Sequence, residues 1–525
     1  MNKKVHMYIA LVLSLSLILA ACSKDAGNEP SDGTGPIKIS LALMGGPKTP
    51  NSWANKALSK DLSENLGREV EVDDVFLPSW DDAKTKINLL MSDKKEMPDV
   101  IWHWDMNKEF DSWVKAGAVV DMVPHLQKYG QNIINYYSKE TMFYHWDPSG
   151  KIFRLPADIS EPGTMTTIIR KDWLDNLGLE VPKNLDDYIK ALRAFTKDDP
   201  DGNGKDDTYG FAGENSYRTF APFFYSHGVD PEAFMIQEDG AVKYGATMPQ
   251  VKQVLAILRG LYEEGILDPR MVAPIDGAQV DDIVANGKIG SIYRWVAFFN
   301  PEESIHQSFK ALNPDGEYMA LEPLVGPDGF ASDIPSDNIG WSFLSVTAAA
   351  KEPSAAVQVL NRMASSETNK LIRFGEEGEH YEIIDGEYKT KLTPDEKNEL
   401  GLGNYSWYIT RKDEANIENT PEVIELFNKR DETSKPMREK IVFFKSLERP
   451  AWIEYSADVN KLRDETFWGI IAGELPLDAF DDFVAKYPGM GGKEIEEEAN
   501  KLYTEQDQQY EEFSKWYDEN IESYK

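Results

Sequence analysis

The chain has one cysteine, few bases for its many acids, and no long apolar run beyond its first residues. A lone Cys22 excludes an internal disulfide framework, because the thiol has no partner in the chain. Lysine and arginine number 56 against 90 aspartates and glutamates, giving a formal net charge of −34. Binding nucleic acid takes basic patches that meet phosphate, so the charge argues against a nucleic-acid partner. The charge favours solubility and weak attraction to anionic surfaces. It leaves the ligand open, since a local cationic cleft fits on an acidic protein. After the N-terminal segment no stretch reaches 18 apolar residues, so no further membrane span is expected. Catalytic signatures are missing too. There is no His-Glu-x-x-His zinc site, no Gly-x-Ser-x-Gly elbow and no Walker loop. The "GMGG" of Gly489 to Gly492 runs into Lys493 and Glu494 and matches neither nucleotide fingerprint. Two carboxylates suffice for a glycosidase. With 90 acidic residues, pairs occur everywhere. An anchored glycoside hydrolase or lyase therefore stays open on motif grounds.

What the chain does have begins with an address. Lys3 and Lys4 precede an apolar run of 14 residues, Met7 to Ala20. That is too short to span a bilayer and has the form of a secretory signal. It ends in "LAAC", Leu19 to Cys22, which resembles a bacterial lipobox, where the cysteine is lipidated and becomes the mature N-terminus. Residues 1–21 thus read as a signal peptide, with attachment to the outer side of the cell membrane through Cys22. The stretch to Pro36 is polar and rich in Gly, Pro and Ser, and reads as a flexible tether over 22–36. About 490 residues follow, enough for two or more domains.

Their patterning alternates. "IKISLAL" at Ile37 to Leu43 reads as a strand, Trp53 to Leu66 as a helix stopped by Gly67, and Glu69 to Phe76 as a strand. A helix over Trp80 to Met91 and a strand at Asp99 to Trp104 complete a β-α-β-α-β run, which predicts a parallel sheet flanked by helices. Ligands of such sheets bind beyond the carboxyl ends of strands. Trp102 and Trp104 lie near one such end. Further strands are expected at Thr164 to Trp173, Asn286 to Phe299 and Gly340 to Ala348. Helices are expected after Asn184 and over Glu352 to Met363. The last stretch, Lys493 to Lys525, reads as an ordinary amphipathic surface helix.

Several stretches together carry a resemblance: "LAAC", "INLLMSDKKEMPDVIW" (Ile87 to Trp102), "SGKIFRLPA" (Ser149 to Ala157), "IIRKDWLDNLGLEVPKNLDDY" (Ile168 to Tyr188), "DPDGNGKDDTYGF" (Asp199 to Phe211) and "IIAGELPLDAFDDFV" (Ile470 to Val484). In this order they resemble the bacterial extracellular solute-binding proteins of family 1, lipoprotein components of carbohydrate ABC importers. The resemblance implies an α/β, two-lobe fold of the type II periplasmic-binding-protein kind, with a hinge and a helical C-terminal extension. Lobe 1 would hold 37–160 with a return at about 340–395. Lobe 2 would hold 161–335 with a helical part at about 396–525. Crossings are expected near Pro156 to Thr164 and between Pro323 and Gly340. The implied function is capture of an oligosaccharide and delivery to ABC permease subunits, by a monomer without catalytic activity. A peptide or other nutrient receptor on the same fold is the remaining alternative.

Sugar recognition wants aromatic faces for the C–H side of the ring and planar polar groups for the hydroxyls. The chain has 13 tryptophans, most of which must serve packing. Trp102 and Trp104 are candidates in the first lobe, and Trp295 beside Arg294 in the second. By analogy with the similar maltose-binding fold, Trp452 is a further candidate. Tyr381, with His380, either lines the cleft or belongs to a surface loop.

The loop from Asp199 carries oxygen ligands at alternate positions: Asp199, Asp201, Asn203, the backbone carbonyl of Lys205, and Asp207. Gly204 supplies the sharp turn. The position of a bidentate glutamate is taken by Gly210, which argues against a calcium-sensor EF-hand. The loop resembles the structural Ca2+ site of alginate-binding relatives, which carry an acidic ligand where this chain has Thr208. A structural calcium ion is the expected cofactor, against the alternative of a solvated Asp/Gly turn.

Overall fold

The computed structural model describes residues 35–525 apart from 45–48, 79, 105, 159–164, 274–276, 302, 336–338, 385–386, 410–419 and 446–448. Cys22, the expected signal and most of the tether lie outside the described residues, as do parts of both expected crossings. The strands that build the two main sheets are, in chain order, β1 (Ile37–Leu43), β2 (Val70–Phe76), β3 (Val100–Trp104), β4 (Leu155–Asp158), β5 (Met165–Arg170), β6 (Tyr209–Phe211), β7 (Ile289–Trp295), β8 (Tyr318–Ala320) and β9 (Ser342–Val346). The helices that matter most here are α1 (Trp53–Leu66), α2 (Trp80–Ser92), α3 (Leu185–Lys197), α4 (Pro450–Ile471) and α5 (Gly492–Asn520).

Local chemistry sets their ends. The Ser52 hydroxyl accepts the Asn55 N–H at 3.3 Å to open α1, and Gly67 at φ 64° closes it in the left-handed conformation. Ala54, Leu58 and Leu62, at a spacing of four, are fully buried. The Asn184 side chain caps α3 by accepting the Asp187 N–H at 2.9 Å.

Lobe 1 is built on a five-stranded sheet in the order β2-β1-β3-β9-β4. Strands β2, β1 and β3 run parallel, as the β-α-β reading predicts. The sheet is not wholly parallel, however: β9 lies antiparallel to both β3 and β4. It enters from the second lobe rather than through a crossover helix, so nothing forces it parallel. Lobe 2 carries a four-stranded sheet, β8-β5-β7-β6, in which only β7 and β6 pair in parallel. The strand expected at Thr164 to Trp173 stops at Arg170, and Lys171–Leu177 turns into a helix that buries Trp173 completely.

Each lobe has its own core. One unites Ile37 to Ala157 with Leu344 to Ile372, and the other unites Ile168 to Leu324 with Met437 to Ala499. The division expected at about residue 396 is crossed by the packing. Tyr405, Tyr408 and Ile409 belong to the lobe 1 core, and so do Phe513, Tyr517 and Ile521. The reading of the last stretch as an ordinary surface helix is therefore corrected. Ile495 and Ala499 at the start of α5 pack in lobe 2, while its end packs in lobe 1. At 1.5 Å per residue, a helix of this length runs about 43 Å, enough to bridge both bodies. No described helix is long and apolar enough to cross a membrane.

Candidate functional site

Between the two cores lies a cavity of about 500 Å³. Lobe 1 supplies Asn107, Tyr144, Arg154, Trp341 and Phe343; lobe 2 supplies Glu232, Phe234, Phe444, Lys445, Arg449 and Trp452. Trp341 leads into β9, beside the carboxyl end of β3, where Ser342 pairs with Trp104. Trp452 sits in the first turn of α4, with its ring 5.4 Å from Phe234 and 5.9 Å from Tyr244. Aromatic faces from both bodies thus meet one space, and cations and a carboxylate stand among them.

The sequence candidates are distributed unevenly around this cavity. Trp452 lines it. Trp102 does not: it is fully buried in the lobe 1 core, as a strand residue pointing under the sheet would be. Trp104, two residues on and on the same face, is half-buried with its ring 5.2 Å from that of Trp102. Trp341 and Trp407 complete a tryptophan cluster, their rings 5.1 Å apart and 6.0 and 6.3 Å from Trp102. Through Trp341, Trp102 and Trp104 support the cavity wall from behind. Trp295 lies at the end of β7, 47 % exposed, and is not among the residues that line the cavity. Arg294 beside it bonds Glu214 at 2.7 Å and Asp281 at 2.5 Å, and so ties the segment after β6 to the helix Gly277–Ala285 that precedes β7. Tyr381 is buried against Phe374 and Tyr388, and His380 against Trp53; neither lines the cavity. Sequence reading missed Trp341, Arg154, Lys445 and Arg449. A tryptophan at the start of a predicted strand was the available signal for the first. The cations carry no local pattern at all.

Electrostatics mark the cavity off from the rest of the molecule. Arg154 is 4 % exposed, its guanidinium lying 4.0 Å from the Phe343 ring centre and 4.7 Å from that of Phe110. It donates to Asn107 Oδ1 at 3.1 Å. Burial lowers its proton affinity to about 10, against a weak opposing pull from Asp111. Burial likewise pulls the Lys445 ammonium down to about 8; Asp147 opposes this and Arg154 adds to it. Lys445 donates to the Trp146 carbonyl of the other lobe. Arg449 is also lowered by burial and stacks on Phe444 and Trp452 at 5.1 and 5.3 Å. The Glu232 carboxyl is raised by burial, with Arg463 at 3.5 Å opposing.

The acidic loop lies away from the cavity. Asp199 (φ 47°), Gly202 and Gly204 take left-handed backbone, which folds the loop back on itself. Asp199 accepts the N–H groups of Asn203 and Gly204 at 3.0 and 2.9 Å. Asn203 Nδ2 donates to Asp201 and Asp207 at 2.8 and 3.1 Å. The Lys288 ammonium reaches the same two carboxylates at 2.8 and 3.1 Å. Lys205 donates its N–H to Asn203 Oδ1 at 2.8 Å. Thr208 is turned inward: its hydroxyl donates to the Phe195 carbonyl at 2.7 Å, away from the carboxylates. The donor set therefore fits a hard cation in part. The oxygens converge, yet Thr208 contributes none, and a lysine already sits on two of them. No group of three or more His, Cys, Asp or Glu among the described residues is placed to hold a metal.

Known proteins resemble this chain over nearly its whole length. The chain is 29% identical over 522 residues to lipoprotein LipO of Bacillus subtilis (strain 168), spanning 96% of this chain and 98% of that one. It is 23% identical over 526 residues to the polygalacturonan/rhamnogalacturonan-binding protein YtcQ of the same organism, spanning 96% and 99%. Among solved structures, alginate-binding protein AlgQ2 without calcium ion superposes with a TM-score of 0.65 at 17% identity, over 91% of this chain and 99% of that one. The substrate-binding protein FusA of Streptococcus pneumoniae, in complex with kestose, gives 0.65 at 19%, over 89% and 99%. These likenesses establish the type II periplasmic-binding-protein fold. A model of the bacterial extracellular solute-binding protein matches residues 45–370, well over half the sequence, and the chain belongs to that family of binding proteins.

Proposed function

We propose that the protein captures an oligosaccharide in the cavity between its lobes and delivers it to ABC permease subunits. The observation that carries this is the aromatic lining drawn from both lobes. Trp341, Phe343 and Tyr144 come from one side, Phe234, Phe444 and Trp452 from the other. Sugar rings offer apolar C–H faces that aromatic surfaces desolvate, while hydroxyls need the few polar groups set among them. Relatives named for polygalacturonan/rhamnogalacturonan and for fructooligosaccharides support the ligand class. A lipid on Cys22 would hold the receptor, as a monomer, at the outer face of the membrane. A thermal-shift screen of the purified chain against neutral and acidic oligosaccharides tests the reading. A ligand that binds only the folded state raises Tm with concentration. If no oligosaccharide moves Tm while peptides do, the ligand class is wrong.

For the acidic loop the reading is narrower than a dedicated metal site. Asp199, Asp201, Asn203, Asp207 and the carbonyl of Lys205 would hold a calcium ion, and the ion would have to displace the Lys288 ammonium from Asp201 and Asp207. When bound, calcium would pin the loop and replace Lys288 as its counter-charge.

A further inference from the structure

We infer that the cleft selects an acidic oligosaccharide, one whose sugar rings carry carboxylates, and that Arg154, Lys445 and Arg449 read its charge. The inference rests on the oligosaccharide reading above and adds the ligand's chemistry to it. All three cations line the same cavity, one from lobe 1 and two from lobe 2. None has an ion-pair partner among the described residues, in a chain with 90 acidic residues against 56 basic ones.

Buried arginines elsewhere in the same molecule are treated differently. Arg430 bonds Asp333 at 2.6 Å, Arg170 bonds Asp172 at 2.6 Å, and Arg463 bonds Asp464 at 2.9 Å. An unpaired buried cation is costly, because desolvation is not offset by a counter-charge. Glu232, which also lines the cavity, faces Arg463 at 3.5 Å, and the acids that act on Arg449 and Lys445, Glu498 and Asp147, are engaged by backbone and hydroxyl donors. Glu498 accepts the N–H groups of Ala451 and Trp452 at 2.9 and 3.0 Å, at the start of α4. Asp147 accepts from the backbone and hydroxyl of Ser149 at 2.8 and 2.5 Å. Burial is the main cause of the lowered proton affinities of Arg154 and Lys445, and an incoming anion would raise them again.

The two guanidinium groups are also packed between aromatic rings. Arg154 lies against Phe343 and Phe110, and Arg449 against Phe444 and Trp452. A planar fork fixed in this way suits the two oxygens of a carboxylate, and little side-chain freedom is left to lose on binding. Trp452 lies under Arg449, so one ring-and-acid unit can touch aromatic face and guanidinium together. Lys445 adds a point charge from a segment whose backbone is fastened to α5: its N–H donates to Gln506 Oε1 at 2.8 Å.

The test is titration calorimetry of the purified chain with trigalacturonate, trimannuronate and the fully methyl-esterified trigalacturonate, with neutral fructo- and malto-oligosaccharides beside them. The ester keeps length and ring stereochemistry and loses only the charge. At least one uronate trimer should bind at least tenfold more tightly than the uncharged ligands, and its Kd should rise with salt. Arg449→Gln and Lys445→Met should each weaken the uronate about tenfold or more, and by a larger factor than they weaken the methyl ester. Both side chains are less buried than Arg154, whose removal threatens the fold. Equal binding of ester and acid, or binding of neutral sugars alone, overturns this inference and leaves the oligosaccharide receptor standing. Binding of no saccharide of either kind overturns both.

Discussion

A strand's alternation says which side chains share a face, but not which face meets ligand and which meets core. Trp102 and Trp104 show the limit: their common face was legible, and its burial was decided by Trp341 and Trp407, which arrive from more than 200 residues away. Trp102→Ala should therefore act on stability, by roughly 3–5 kcal/mol for a buried aromatic. Trp452→Ala should act chiefly on affinity, since its ring is half-buried on the cavity wall. Chemical unfolding of both variants separates the two roles, and equal losses of stability would contradict the assignment. Lys445 gives a pH signature. Its ordinary value is 10.5 and the fold lowers it to about 8, through burial first, with Asp147 opposing and Arg154 contributing. Between these values the unfolded chain holds a proton that the folded chain has released. Stability therefore rises with pH across the window from about 8 to 10.5, and the penalty for the buried charge is fully present below it. Urea unfolding across that range should show the rise in wild type and a smaller one in Lys445→Met. The neighbouring groups Arg154, Arg449, Glu232, His145, Asp111, Lys115 and Asp147 are common to both proteins, and parallel curves would show that Lys445 is not the group responsible.

At the scale of elements, periodicity located most strands and helices to within one or two residues, because burial of one face is a local property. What it could not reach was pairing. The antiparallel entry of β9 and the passage of α5 from one core to the other both depend on where the chain returns from. The α5 stripe of Ile495, Ala499 and Leu502 looked like one buried face, and the second anchor, Phe513, Tyr517 and Ile521, belongs to a different body. Asn500 ties the first part to Val242 by bonds of 2.8 and 2.8 Å, and Asp518 ties the last to Lys139 at 2.7 Å. Phe513→Ala should cost about 3–5 kcal/mol, the price of an aromatic removed from a core. A loss below 1 kcal/mol, within the range of surface changes, would return the end of α5 to the status of surface helix. In the loop at Asp199 the alternation of oxygens was readable, and the inward turn of Thr208 and the reach of Lys288 were not. If calcium competes with Lys288, then Lys288→Ala should show a larger calcium-dependent rise in Tm than wild type, and chelator should abolish it. Tm values indifferent to calcium in both proteins would make the loop a solvated turn.

For the whole molecule, two cores with a cavity between them and a helix packed against both place a ligand space where the two bodies meet. Parts of both expected crossings between lobes lie outside the described residues, and the cavity's cations were invisible in a sequence whose bulk charge points the other way. Attachment belongs at this scale as well. Cys22→Ser should abolish lipid labelling and release the protein to the medium, and a serine variant that stays on the membrane would end the lipobox reading. The most direct test of the account is the position of a saccharide in a crystal structure of the complex, grown with whichever trimer binds most tightly. The account places its rings between Trp341 and Trp452, with an acid group on Arg154 or Arg449. A sugar seated over Trp295, outside the cavity between the lobes, would contradict it.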